Sequence, residues 1–318
     1  VKKLYIDLSE ARAIGDTLCV SPVLRKLYLS YDRKISIITH NPEIFINNPY
    51  VEDLYHPGEV DIKSSENEIF RTFNIGYNES GVCNKHNSMD IRQFHAMNLG
   101  FMLANDEMKL DFFPNEFNQI SDLPEKYVLI HPVQNWESRT WSRDKWILLT
   151  KALNKSGISV VSVGKESSEI GGSDVQKPTF NFDIDLGLNL QNKTTLSQTW
   201  WLIEKSLCFV TMDSGLLHLA GTTDSNIIQL GSSINNDFRA PYRNGSQNYK
   251  YHYVSGKCEL KCASDIKYGV REWNTIQGIP SLVGCLERKE KFECHPDVMS
   301  VYKKIMEICN IKSESSGK

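Results

Sequence analysis

Leu4-Tyr5-Ile6-Asp7-Leu8 is a short apolar run of strand character. Thr17 to Tyr31 follows with Leu18, Val23, Leu24, Leu27 and Tyr28 at helical spacing, and Lys34 to Thr39 is strand-like again. A strand, a helix and a strand in this order form a crossover unit, which places both strands in one parallel sheet. Weaker strand signals lie at 51–56 and 69–77, before a helical pattern from Met89 to Leu103. The stretch from Phe113 to Glu125 is polar, carries Pro114 and Pro124, and has the composition of a linker.

After this linker the alternation restarts. Strands are expected at Tyr127–His131, Ile158–Val163, Leu207–Met212 and Asn226–Leu230, and helices at Arg143–Asn154, Thr194–Lys205 and Leu216–Thr222. The pattern predicts two consecutive α/β units, 1–120 and 121–295, with a last helix from Pro296 to Cys309 inside a closing segment 296–312. The region after about residue 240 reads as loop-rich, and the polar tail 313–318 reads as disordered.

Composition narrows the class of function. The 318 residues are 40% hydrophobic and 24% charged, the balance of a globular protein. Lys and Arg total 36 against 39 Asp and Glu, for a net charge of −3, so no global positive field gathers nucleic acid. Any anion site must be local. No run approaches the ~18–20 apolar residues of a membrane-spanning helix. The first residues do not read as a secretory signal, so the eight cysteines are expected to be reduced thiols of a cytoplasmic protein, with at most peripheral membrane contact.

Three segments can carry chemistry. Ile14-Gly15-Asp16-Thr17-Leu18 is a strand-to-helix connection at the carboxyl end of the first strand, the edge where open α/β sheets bind ligands. Asp16 there reads equally as a general base for an incoming hydroxyl or as a cap of the helix that follows. Gly15 fits the turn geometry. Met212-Asp213-Ser214-Gly215-Leu216-Leu217-His218 again runs from strand to helix, and its exposed N–H groups could seat a diphosphate. By itself this segment reads more simply as an ordinary N-cap, with His218 a core-edge histidine one turn later. His131 to Ser142 is a polar loop in which Arg139 either neutralises phosphate with its two-toothed fork or is a solvated cation.

Taken together, Gly15-Asp16-Thr17-Leu18 with Pro22-Val23-Leu24-Arg25, Asn48-Pro49-Tyr50-Val51-Glu52-Asp53, Arg139-Thr140-Trp141, Lys193-Thr194-Thr195-Leu196 and Asp213-Ser214-Gly215-Leu216-Leu217-His218 resemble the ADP-heptose:lipopolysaccharide heptosyltransferases of glycosyltransferase family nine. The resemblance implies the GT-B fold, two Rossmann-like domains facing a cleft, with acceptor on the first and nucleotide sugar on the second. It implies that the closing helix returns to the first domain. Asp16 then matches the catalytic base, with Gly15 and Arg12 on the acceptor side. Arg139 stands where a basic residue contacts the donor phosphates. Asp213, Ser214, Gly215 and His218 match the diphosphate motif, and Gly164 and Glu166 fall where the family reads the nucleoside. The reaction implied is inverting transfer from a nucleoside-diphosphate sugar, ADP-heptose first, to a glycan precursor or protein, with no cofactor required for catalysis. This chain departs from the family in carrying Asp7 and a longer loop at 9–13 where a basic residue is common, so its acceptor is expected to differ.

Three residues separate Cys258 from Cys262, twenty-two separate Cys262 from Cys285 and eight separate Cys285 from Cys294, and four thiolates can bind zinc or iron. The spacing is looser than that of a zinc finger, and His295 adds a substitute ligand. The cluster partly resembles the iron-binding cysteines of autotransporter heptosyltransferases; a structural metal and four unliganded thiols both remain open. Two rival functions stand beside the transferase. One is a nucleotide-sugar hydrolase or epimerase on the same fold, the other a non-catalytic nucleotide-sugar-binding subunit organised by metal.

Overall fold

The structure is a computed structural model that describes residues 3–60, 68–71, 89–134, 137–165, 180–181, 186–262, 264, 285 and 292–309. The first half contains β1 (Leu4–Asp7), α1 (Ile14–Leu18), α2 (Ser21–Tyr31), β2 (Ile35–Ile38), β3 (Val51–Tyr55), β4 (Glu68–Arg71) and α3 (Ile91–Asn98). Its four strands pair in parallel in the order β3-β2-β1-β4. All four residues of β2 are buried, as expected for a strand covered on both faces.

The expected helix from Thr17 to Tyr31 is two helices. Pro22 has no N–H to give the carbonyl four residues earlier, so α1 stops at Leu18 and a new helix starts with the proline in its first turn. The break turns α1 into a short, separately aimed element, and its first turn carries Gly15 and Asp16.

In the second half lie β5 (Tyr127–His131), β6 (Val133–Gln134), α4 (Arg143–Lys155), β7 (Ser159–Ser162), β8 (Phe180–Asn181), β9 (Leu188–Asn189), α5 (Leu196–Lys205), β10 (Cys208–Thr211), α6 (Gly215–Ala220), β11 (Ile227–Leu230) and β12 (Tyr251–Val254). Six strands form a parallel sheet in the order β12-β11-β10-β5-β7-β9, while β6 and β8 form a separate antiparallel pair. The winding reverses between β5 and β10, and the crevice outside the carboxyl ends of those two strands is where such sheets bind ligands.

β12 lies in the region that reads as loop. It is a four-residue edge strand, too short to show a period, and Arg243 organises the approach to it. That buried guanidinium donates to the carbonyls of Thr223, Ser225, Tyr249 and Lys250 at 2.7–3.0 Å. The linker is tied down as well: Asn115 N–H donates to Ser197 Oγ at 2.9 Å, and Gln198 donates to the Asn118 carbonyl at 3.1 Å.

One buried apolar cluster runs from Ile6, Leu18 and Leu24 of the first half to Leu129, Phe209 and Leu217 of the second. A second lies on the opposite face of the six-stranded sheet, where Trp141 and Trp146 meet edge to face at a centroid distance of 4.8 Å. The last helix, α7 (Val298–Ile308), belongs to this second cluster through Val301, Ile305 and Met306. The return of segment 296–312 to the first domain is therefore corrected: α7 packs on α4, and Ser156 and Tyr302 share a 2.8 Å hydrogen bond. An apolar stripe determines that a helix is buried, and the length of the preceding connection determines where. Here that connection brings the Pro296 carbonyl to Trp141 Nε1 at 2.9 Å and to Lys145 Nζ at 3.0 Å. Ile305→Ala should cost about 2–5 kcal/mol in denaturant unfolding, and an unchanged midpoint would contradict this packing.

Candidate active site

The two halves meet where α1 and α6 begin. A Cβ added at Gly15 would stand 2.9 Å from His218 Cδ2 and 3.1 Å from Gly215 Cα, and one added at Gly215 would stand 3.1 Å from the Gly15 nitrogen. The two turns touch backbone to backbone, which only side-chain-free residues allow. His218 belongs to the same contact, with its Nδ1 3.4 Å from Cys19 Sγ. Burial lowers the His218 pKa to about 4 and pushes the Cys19 thiol up, so both are neutral at pH 7.

Asp16 follows Gly15, and three charged side chains gather around it. Arg139 ends the short 3-10 turn Glu137–Arg139, and its Nη1 lies 3.4 Å from Asp213 Oδ2. Arg239, just past the 3-10 turn Asn236–Phe238, places Nε 3.6 Å from Asp213 Oδ1. Both distances exceed the 2.7–2.9 Å of a closed charge-assisted hydrogen bond. Burial raises the Asp16 pKa to about 6, opposed by Arg239 and then by Arg139, and assisted by Asp213. Burial also lowers the Arg139 pKa against the pull of Asp213. Among the described residues, the site thus brings Arg139 and Arg239 beside Asp213 and beside Asp16, whose carboxyl changes charge at about pH 6.

The capping readings are not realised. Asp16 lies inside the first turn of α1, whose N-cap is Ala13, and Ser214 at the N-cap position of α6 makes no side-chain cap. Instead Ser214 Oγ is 3.1 Å from Thr211 Oγ1 and 3.2 Å from His131 Nδ1, and His131 Nδ1 is 3.1 Å from Thr211 Oγ1. Burial takes the His131 pKa down to about 3. This polar group closes the floor of the crevice between β5 and β10.

The structure thus brings together Gly15, Asp16, Arg139, Asp213, Ser214, Gly215 and His218. Arg12 is exposed on the loop before α1, where its carbonyl accepts from Asn41 Nδ2 at 3.0 Å. Gly164, at φ 141°, lies two residues past β7, the strand next to the one His131 ends, and its carbonyl accepts from Asn192 N–H at 2.8 Å. Glu166 lies outside the described residues. Sequence reasoning missed Arg239 and His131. For His131 the available signal was its position at the carboxyl end of a strand, whereas Arg239 follows a 3-10 turn nine residues past β11 and carries no such signal.

Of the four cysteines of the cluster, Cys294 has the other three within electrostatic reach. Cys294 is buried, and its thiol is pushed up to about 12 by burial and by Cys262, Cys258 and Cys285. Gly256 lets the chain run close beside 293–295, since a Cβ there would stand 2.1 Å from the Glu293 carbonyl oxygen. Among the described residues, no group of three or more His, Cys, Asp or Glu is arranged to hold a metal ion. His295 donates from Nε2 to the Ser138 carbonyl at 2.9 Å, beside Arg139. No helix among the described residues is long and apolar enough to cross a membrane.

Two parallel-sheet units with a charged cluster between them define the class as a GT-B-type α/β protein. The family model for glycosyltransferase family 9 (heptosyltransferase) matches residues 87–266, more than half of the chain, and the protein belongs to that family and is a glycosyltransferase. Its fold resembles the bacterial iron-containing dodecameric glycosyltransferase TibC from enterotoxigenic E. coli H10407, with a TM-score of 0.67 at 14% identity over 98% of this chain and 77% of that one. It also resembles E. coli ADP-heptose LPS heptosyltransferase II, with a TM-score of 0.56 at 14% identity over 96% and 98% of the two chains. A family 9 glycosyl transferase from Veillonella parvula scores 0.50 at 11% identity over 80% and 85%. No curated protein sequence matches the chain.

Gly15→Ala is expected to cost about 1–3 kcal/mol of stability in denaturant unfolding, and Gly15→Val more, because backbone stands where the new carbons would go. Unchanged midpoints for both would show that the two turns do not touch in solution.

Proposed function

We propose that the protein transfers a sugar, heptose by its family, from a nucleoside diphosphate to a cell-surface glycan precursor or protein, with inversion at the anomeric carbon. In this reading residues 1–120 receive the acceptor and 121–295 hold the donor, with ADP-heptose the favoured donor. The structurally similar TibC is described in complex with ADP-D-β-D-heptose. The observation that carries the proposal is Asp16: a carboxyl at the junction of the two halves, facing Arg139, Arg239 and Asp213, with its pKa raised to about 6.

The chemistry follows from those positions. Asp16 takes the proton of the acceptor hydroxyl as that oxygen attacks the anomeric carbon from the face opposite the diphosphate. The new carbon–oxygen bond forms while the bond to the phosphate oxygen breaks, and the departing diphosphate accumulates negative charge. Arg139, with the N–H groups beside Ser214 and Gly215, stabilises that charge without having to reorganise. Neutral His131 holds the Ser214 hydroxyl, and neutral His218 packs against Gly15, so neither competes with Asp16 for the proton.

A base with this pKa makes the transfer rate fall about tenfold per unit below about pH 6 and level off above it. Asp16→Asn should lower turnover by ~100-fold or more while donor binding, read as a thermal shift with ADP-, GDP-, UDP- and CDP-sugars, is kept. Stability follows the opposite sign. Asp16 is a carboxyl whose folded pKa lies above its unfolded value, so its ionisation weakens the fold as pH rises from about 4 through about 6, and Asp16→Asn should unfold no earlier than the unaltered protein at pH 8. Full turnover of Asp16→Asn would leave the non-catalytic subunit as the better reading. Release of free sugar with no acceptor-dependent transfer would favour the hydrolase.

The cysteine segment supports a second, structural proposal. Cys258, Cys262, Cys285 and Cys294 are of the soft donor type that iron and zinc favour, although as placed they do not form a metal-holding group, and TibC is described as iron-containing. A bound ion would stiffen the segment from which His295 holds the Ser138 carbonyl and with it the turn bearing Arg139. Elemental analysis of purified protein should find about one metal per chain, and Cys262→Ser should lose it and lower the unfolding temperature. Metal-free protein with an unchanged unfolding temperature in Cys262→Ser would establish four unliganded thiols.

A further inference from the structure

The approach of Gly15 to Gly215 holds one side of α1. The helix is only five residues long, and its N-cap, Ala13, supplies no side-chain cap. A helix of a single turn has little persistence of its own, so its aim depends on what grips it from outside. Successive residues step about 100° around a helix, which puts Thr17 roughly opposite Gly15 and Asp16 between the two. Thr17 is fully buried, whereas Asp16 is half-buried.

On the Thr17 side two side chains form a clasp. Thr17 Oγ1 shares its proton between the carbonyls of Ala11 at 2.9 Å and Ala13 at 3.0 Å. Asn41 Nδ2 donates to the Thr17 hydroxyl oxygen and to the Arg12 carbonyl, both at 3.0 Å. Three successive carbonyls are thereby tied to the helix they lead into. Asn41 is fixed in turn to the first sheet, just past β2: its N–H donates to Thr39 Oγ1 at 3.1 Å, and Thr39 N–H donates to the Tyr55 carbonyl at 2.9 Å. The loop before α1 is seated by buried Ala11, whose N–H donates to the Leu8 carbonyl at 2.9 Å. Arg12 and Ala13 are exposed, where water can serve a carbonyl as well as a side chain does. Donors from the protein add direction, and the direction they set is that of α1.

We propose that Asn41 and Thr17 are positioning residues for Asp16, locking α1 against the end of β2 so that the carboxyl is aimed at the acceptor hydroxyl. This inference rests on the transferase reading and adds to it two residues that act through the backbone of α1. Such a hold matters because a reacting group misplaced by about 1 Å can cost about 100-fold in rate. The groups facing the Asp16 carboxyl are Arg239 from the connection between β11 and β12, Arg139 from the turn 137–139, Asp213 before α6 and the Cys19 thiol just past α1. With the clasp cut, the carboxyl leaves its buried place and both arginines together. Burial is the largest of these influences, so the Asp16 pKa should fall from about 6 towards the ordinary 3.8.

The test compares the unaltered protein with Asn41→Ala, Thr17→Val and Thr17→Ser, each labelled with carbon-13 at the aspartate carboxyls. The Asp16 signal is the one missing from Asp16→Asn, and following it by NMR through a pH titration needs no acceptor. In Asn41→Ala and Thr17→Val its midpoint should fall by at least about half a pH unit, and Thr17→Ser, which keeps the hydroxyl, should return it towards the unaltered value. Calorimetric titration with ADP, GDP, UDP and CDP identifies the diphosphate that binds. Its affinity should stay within about twofold in the variants, while its release from the corresponding sugar donor should slow about 10- to 100-fold in Asn41→Ala and Thr17→Val. Should Thr17→Val fail to fold, Asn41→Ala decides, because Asn41 is only half-buried. A lowered unfolding midpoint with the Asp16 titration unmoved would make the clasp merely structural and overturn the inference. A fall in diphosphate affinity equal to the fall in rate would overturn it too; either result leaves the role of Asp16 standing. Full turnover in Asp16→Asn, or binding of none of the four diphosphates by the unaltered protein, takes the transferase reading and this inference down together.

Discussion

The close approach of Gly15 to Gly215 is the constraint on which the rest depends. Two short helices from different sheets begin at the same place, and only the absence of two side chains lets their backbones meet. Because Asp16 follows Gly15 and Asp213 precedes Gly215 by two residues, this contact delivers both carboxylates to one spot. Pro22 serves the same end from a distance, since it ends α1 after a single turn and leaves α2 free to bury its own apolar side. Around the contact the apolar core continues from one sheet to the other, so the charges sit at the edge of an apolar interface.

That setting explains the electrostatics. Asp16 is held near its titration point by burial pulling one way and two arginines the other, a balance suited to accepting a proton at neutral pH and costly to the fold. The neighbouring histidines are driven fully neutral by the same burial and serve as hydrogen-bonding and packing groups. His295 extends the arrangement outward. Its bond to the Ser138 carbonyl links the segment that carries Cys294 directly to the turn that carries Arg139.

Much of this was legible along the chain. The alternation of short apolar runs with helical periods specified two parallel-sheet units, and the Gly-Asp and Asp-Ser-Gly motifs pointed to Asp16, Asp213 and Gly215 at strand-to-helix turns. Arg139 stood out within a polar loop. Each of these signals is local, set by propensity, turn chemistry or a few residues of spacing, and a linear reading captures such features.

Other features were decided only by the tertiary structure. Nothing beside Arg239 in sequence marks it, because its meaning comes from Asp213 and Asp16, which reach it from other strands and from the other half of the chain. The stripe on α7 announced a buried helix without naming its partner, and the choice of α4 over the first sheet was made by the bonds that Trp141 and Lys145 offer to the Pro296 carbonyl. His131 looked like the end of a strand until the register with Thr211 turned it towards Ser214. The amino-acid sequence by itself determined the elements and the chemical groups at their ends. Which groups share a buried space was settled by folding, because Coulomb forces and desolvation depend on distances through space that separation along the chain does not encode.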